Sequence, residues 1–222
     1  MVRGLAAADS AGRPHGRGPE PPLAAGATLV QGVPAIEIIR FSEHQSADLI
    51  VLPRGARDPA HPGSSRDTCD AVIRRAEVPC LVVPEGQDRF TRLLATLDGS
   101  ERGMVVLRAA CDLRRLSDHG VSAIFVEPAD PDFPAGNAPV RSARAEVLER
   151  RMRAHGSGCG GVRLIERQGD VVSEVVHGLS ASGGDILVVG VRRGGAAGLS
   201  ESTGNGRRLL AAAPCAVLTV PL

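Results

Sequence analysis

The sequence predicts an internally duplicated α/β protein built on parallel sheet, and three observations carry that prediction. Short apolar runs of strand length alternate with helical stretches, the pattern of parallel strands joined by crossover helices. A block near the N-terminus recurs near the C-terminus at one spacing. Gly32 and Gly169, Glu37 and Glu174, Asp48 and Asp185, Ala76 and Ala213, and Pro84 and Pro221 are each 137 positions apart (169 − 32 = 137). No insertion interrupts that spacing through two strands and a helix, so it marks a duplication. Finally, no run of the 222 residues approaches the roughly 18 apolar residues of a membrane helix, and the first thirty hold no signal-peptide core.

Residues 1–26 carry Gly, Pro, Ala and Arg without apolar period, and GRPHGRGPEPP reads as a tail with little order. A first domain spans 27–86. ATLVQG reads as a strand, Pro34 suits a first helical position, and Ala35, Ile38, Ile39 and Ser42 share one helical face. ADLIVLP follows as a buried strand, then a Gly/Pro-rich loop, a helix over 68–76, and the strand CLVVP. The second domain, 90–222, is longer at its front. TRLLATLDGS is a strand ending in Asp98-Gly99-Ser100, 101–116 a helix, and GVSAIFVEP a second strand. After a proline-bearing loop, Val140, Ala143, Val147 and Met152 mark a helix rich in Arg and Glu. VRLIERQ, the helix after Gly169, GGDILVVG and AAAPCAVLTVPL complete five strands.

At the 137 spacing the counterpart of Asp98 would fall before residue 1, so the first copy is expected to lack its first two strands. Ligands of an open parallel sheet sit beyond the carboxyl ends of its strands at a switch in strand order, so only the second copy is expected to hold a complete site. The strand at 27–32 would then need a new neighbour. The alternatives are a chain that begins further upstream, an edge supplied by another chain, or direct pairing with the strand at 47–53.

Composition removes several functions. The 26 basic residues are all Arg, and against 25 acidic residues they leave a net charge of +1. That balance is unlike a phosphate-tracking protein. Without Lys there is no P-loop, Schiff-base or pyridoxal phosphate chemistry. Trp and Tyr are absent and aromatic residues make up 2%, so no stacking platform for nucleic acid exists. Cys69, Cys80, Cys111, Cys159 and Cys215 form no C-x-x-C pair, and their odd number fits no disulfide framework. They read as reduced thiols of a cytoplasmic protein, with Cys80 and Cys215 as core packing. The six histidines are scattered without H-E-x-x-H, no G-x-S-x-G elbow occurs, and GSGCGG at 156–161 reads as a loop. Neither a metal site nor a catalytic constellation is expected.

LLATLDGS, the Gly169-Asp170 stretch with Glu174, GGDILVVGVRR and AAAPCAVLTVPL, together with QGVPAIEII, SADLIVLPRG and RRAEVPCLVVPEG, resemble the universal stress protein family in tandem arrangement. The resemblance implies open parallel five-stranded sheets in the order 3-2-1-4-5, with helices on both faces. It also implies an intramolecular pseudo-dimer in which CLVVP lies beside AVLTV; a homodimer is a further expectation. One branch of the family binds ATP through an Asp ending the first strand and a loop written G-x-x-G-x9-G-[ST]. Asp98 matches the acid. From Gly190 the later loop positions fall on Arg193, Thr203 and Gly204, whereas a frame shifted by one gives Gly194-x9-Gly204 followed by Asn205. The implied site is Asp98, Gly190, Arg192, Gly194, Gly204 and Asn205, with ATP or AMP as ligand and Mg2+ accompanying ATP. Asp98-Gly99-Ser100 equally fits a plain turn in which Asp or Ser caps the next helix. In the first copy Pro53, Ala56 and Arg66-Asp67 stand at the loop positions, so no nucleotide is expected there. The expected function is that of a non-enzymatic stress-response regulator. The alternative is an interaction module of the same fold that has lost its ligand; an electron-transfer-flavoprotein-like or nucleotidyl-transfer domain would rest on fold analogy alone.

Overall fold

The computed structural model describes residues 5–7, 27–55, 65–114, 120–127, 143–155, 161–192 and 205–222. The N-terminal part contains β1 (Leu5–Ala7), β2 (Thr28–Val30), α1 (Pro34–His44), β3 (Ile50–Pro53), α2 (Ser65–Arg75) and β4 (Cys80–Val83). The remainder is β5 (Leu93–Leu97), α3 (Glu101–Arg114), β6 (Val121–Glu127), α4 (Ala143–His155), β7 (Arg163–Gln168), α5 (Val171–Ser182), β8 (Ile186–Val191), α6 (Asn205–Ala212) and β9 (Ala216–Pro221).

Seven strands form one sheet in the order β3-β4-β9-β8-β5-β6-β7. Every neighbouring pair is parallel except β4 and β9, which run antiparallel with Cys80 opposite Thr219 and Leu81 opposite Leu218. CLVVP thus lies beside AVLTV within the chain. Thr219, 2% exposed, satisfies its hydroxyl across that seam on the Cys80 carbonyl at 3.1 Å.

Both faces of the sheet are covered over β4, β9, β8, β5 and β6, which is why those strands are apolar runs rather than alternating ones, whereas β3 at one edge alternates buried and exposed residues. On one face Ala35 of α1, Cys69 and Val72 of α2, Val175 and Leu179 of α5 and Leu209 of α6 pack on the even-numbered side chains of β3, β4 and β5. On the other, Met104, Leu107 and Ala110 of α3 and Leu148 of α4 meet Leu93, Ala95, Val188 and Leu218. The linker between the halves is clamped by Gln87. Its amide donates to the Asp185 carbonyl at 2.7 Å and accepts from Ala216 N at 2.7 Å, fixing the starts of β8 and β9. Arg54, just after β3, donates to the Ala213 and Cys215 carbonyls ahead of β9.

Two expectations are corrected. Within the stretch 1–26, expected to carry little order, β1 is described and the other residues lie outside the described ones. The strand at 27–32 was left with three ways to find a neighbour, and one of them, direct pairing with the strand at 47–53, is overturned: β2 pairs in parallel with β1, Leu5 against Thr28, in a separate two-stranded sheet. The physical reason is that exposed backbone donors and acceptors need partners, and three residues of Leu-Ala-Ala can supply them without any detectable apolar period. The thiols are the second correction. Cys69, Cys80 and Cys215 are free and buried, but Cys111 is disulfide-bonded, its partner lying outside the described residues. Burial pushes the Cys69 thiol up to about 11 and the Cys80 thiol to about 12. Both remain neutral packing groups at ordinary pH.

Candidate functional site

The crevice between β5 and β8 is set by topology. The chain leaves β5 for α3 on one face of the sheet and leaves β8 for α6 on the other, so the two strand ends are not bridged by a single crossover. This is the switch point at which open α/β sheets bind ligands. The two strands pair only from Leu93 opposite Ile186 to Ala95 opposite Val188, although β5 continues to Leu97 and β8 to Val191. They part toward their carboxyl ends.

Asp98 sits at the end of β5 and is exposed. Its Oδ1 accepts from Ser100 N at 3.0 Å and from Ser100 Oγ at 2.7 Å, closing the turn into α3. Gly99 holds φ +77, a left-handed conformation that favours glycine, with the Phe125 ring beneath it. Arg151 of α4 reaches over the same turn, donating to the Gly99 carbonyl at 2.8 Å and lying 3.3 Å from Glu101. The capping role of Asp98 is therefore realised through one carboxylate oxygen. Oδ2 has no partner among the described residues and can accept a further donor.

Gly190 lies inside β8, not in a loop. A Cβ there would stand 2.5 Å from Leu222 and 3.1 Å from Val106, and its carbonyl is where a Cβ on Gly206 would collide at 2.5 Å. Packing against Leu222 and the close approach of α6 account for both glycines. Arg192 follows β8, exposed, and Asn205 opens α6, where its Oδ1 accepts from Arg208 at 3.5 Å. Gly194 and Gly204, like Arg193 and Thr203, lie outside the described residues.

Sequence reasoning missed one part of this rim. A cavity of about 40 Å3 beside the end of β8 is lined by Arg192, by Arg207 of α6, and by Asp70 and Arg74 of α2. Arg207 pairs with Asp70 at 3.6 Å, and Arg74 and Arg192 line the same cavity. The available signal was the antiparallel seam, which brings the last turn of α2 to the carboxyl end of β8. A larger cavity of about 550 Å3 lies at the opposite end of the sheet, between the 84–89 linker and the 183–185 turn. Its Asp185 carboxylate is fully engaged by Thr91 and Arg92, so we read it as the groove under the linker.

Among the described residues no three His, Cys, Asp or Glu are grouped to hold a metal, and no helix is long and apolar enough to cross a membrane.

The model of the universal stress protein family matches the chain over residues 20–84 and 89–221. No curated protein matches the sequence. Among solved structures, a universal stress protein from Archaeoglobus fulgidus DSM 4304 superposes with TM-score 0.60 at 18% identity, over 89% of this chain and 71% of that one. A putative universal stress protein from Pseudomonas aeruginosa UCBPP-PA14 gives TM-score 0.64 at 14% identity, over 88% and 72%. At such identities the likeness speaks for the fold, and the two-part family match speaks for membership: the chain belongs to the universal stress protein family.

Proposed function

We propose that the chain is a stress-response regulator that binds an adenine nucleotide, ATP or AMP, at the crevice between β5 and β8, without itself being an enzyme. The observation that carries this reading is the spare Oδ2 of Asp98 on one wall of a switch-point crevice whose other wall ends in Arg192 and the start of α6. A carboxylate oxygen there suits the adenine amino group, and guanidinium and helix N-terminal N–H groups suit phosphate. Gly190 would act by letting α6 approach, with Gly194, Gly204 and Asn205 as the remaining phosphate contacts. Mg2+ would arrive with ATP and neutralise phosphate charge, since no cluster among the described residues stands ready to hold it.

The tandem reading supports the placement. Gly32 and Gly169 hold φ of +152 and +143, and each faces the side chain of its own Glu, Glu37 or Glu174. The antiparallel seam sets Leu81 opposite Leu218, residues at the 137 spacing, as a two-fold relation between the halves requires. Isothermal titration with ATP and Mg2+, and with AMP, tests the reading. Saturable binding at one site per chain that Asp98→Ala weakens would uphold it. No heat from folded protein would discard it in favour of the second reading, a ligand-free interaction module, which the occupation of Gly190 by Leu222 favours.

A further inference from the structure

The spacing of 137 positions equates β2 with β7, β3 with β8 and β4 with β9. β1 extends the series. Thr28 pairs with Leu5 in the same parallel sense in which its counterpart Ile165 pairs with Ile124, so β1 takes the place of β6. Among the described strands of the second half, only β5 has no counterpart.

What β5 does for β8 is explicit. Ahead of the two strands the Asp185 carboxylate accepts from Thr91 N at 2.8 Å, from Thr91 Oγ1 at 2.6 Å and from Arg92 N at 2.7 Å, and β5 then covers the edge of β8. Val188, in the middle of β8, is 0% exposed, with β5 beside it and the side chains of α3 over it. The equivalent acid is Asp48, exposed and without a partner among the described residues, and the equivalent valine, Val51, is 60% exposed. β4 takes the N–H of Leu52 through their parallel register, and neighbouring carbonyls take Ile50 N and Arg54 N. The N–H and C=O of Val51 consequently point to the outer edge, which no strand among the described residues covers.

We propose that the outer edge of β3 is a docking site for an extended segment of a partner protein, entering parallel to β3. Its first two residues give successive backbone N–H groups to Asp48, and an apolar side chain following them covers Val51. The partner segment has the chemistry of β5, a polar pair leading into about five apolar residues with no proline among them. A second copy of this chain fits poorly. In an antiparallel β3 pair centred on Val51, Leu49 C=O would meet Pro53, which has no N–H to give, and Asp48 would face Arg54, whose guanidinium is already bound to Ala213 and Cys215. This inference does not depend on nucleotide binding and can fail separately from it.

The test uses the full chain and a fluorescein-labelled peptide, RFTRLLATLDG, copied from residues 89–99, followed by fluorescence anisotropy. One-to-one saturable binding is expected, weakened about tenfold or more by Asp48→Ala, by Val51→Lys, and by N-methylation of the peptide at the positions of Thr91 and Arg92. Both protein variants should keep the wild-type melting temperature, since neither native side chain has a hydrogen-bond or ion-pair partner among the described residues. Equal binding of a scrambled peptide, undiminished binding to Asp48→Ala, or absence of binding to folded wild type would overturn the proposal. So would a sedimenting dimer that Val51→Lys dissolves, which would assign the edge to a second copy.

Discussion

Asp185 and Asp48 offer a paired experiment in which the same substitution at equivalent positions should give unequal results. Asp185→Ala removes the acceptor for Thr91 N, Thr91 Oγ1 and Arg92 N, at 2.6–2.9 Å. A hydrogen bond to a charged group contributes about 1.5–3 kcal/mol, and water reaches this partly exposed site to take over some of the freed donors. A loss of about 2–4 kcal/mol is expected, or about 5–15 °C in melting temperature for a chain of this size. Asp48→Ala should stay within about 0.5 kcal/mol of wild type. The pH dependence carries the same signature. Burial alone would raise the Asp185 carboxyl, but the bonds from Thr91 and Arg92 outweigh it and hold the folded value below the ordinary one. A depressed folded value gives stability that is fully present above the unfolded value of about 3.9 and is lost as pH falls through the folded value. Wild type and Asp48→Ala should show that acid loss, and Asp185→Ala should show less of it. Thermal melts from pH 2 to 7 suffice. Equal destabilisation by the two substitutions would refute the claim that only Asp185 has a strand to hold.

Asp98→Ala should weaken nucleotide binding by about tenfold while costing at most about 1 kcal/mol of stability, the loss of a turn cap, as read by titration and melting together. Gly190→Ala should destabilise by about 1–3 kcal/mol by forcing a methyl against Leu222, and Leu222→Ala in the same chain should recover part of that loss in urea unfolding. Unfolded without reductant, the chain should expose three thiols to a colorimetric reagent and five after reduction; five at the outset would contradict the bonded state of Cys111. Leu218→Ala, at a side chain 2% exposed on the seam, should cost about 2–5 kcal/mol in the same assay.

Much of the architecture was legible because it is periodic. Apolar runs with Gly or Pro at their ends marked the strands, Pro34 marked the start of α1, and the recurrence of Asp48 as Asp185 aligned the halves before any coordinates. What escaped lies where meaning depends on a distant partner. Leu5–Ala7 is three residues of low character whose role comes only from pairing with Thr28–Val30. Gly190 looks like a loop glycine until Leu222, at the far end of the next strand, is seen above it. Cys111 looks like any isolated thiol, since pairing depends on approach in space and not on spacing in sequence. Arg74 reads as a solvated helix residue until the seam carries α2 to the rim of the crevice.

The ion pair between Asp70 and Arg207 joins two residues 137 positions apart, so it crosses the two-fold relation between the halves. In an assembly of two identical subunits, each such position faces its own twin and an acid can only meet an acid. In a single chain the two positions are free to differ, and here one is an acid and the other a cation. A symmetric pairing of either half with its own copy would set like charges together at this point, two carboxylates in one case and two guanidinium groups in the other. A position that in a dimer must suit itself here holds one member of a complementary pair, and the covalent link keeps the other member at hand.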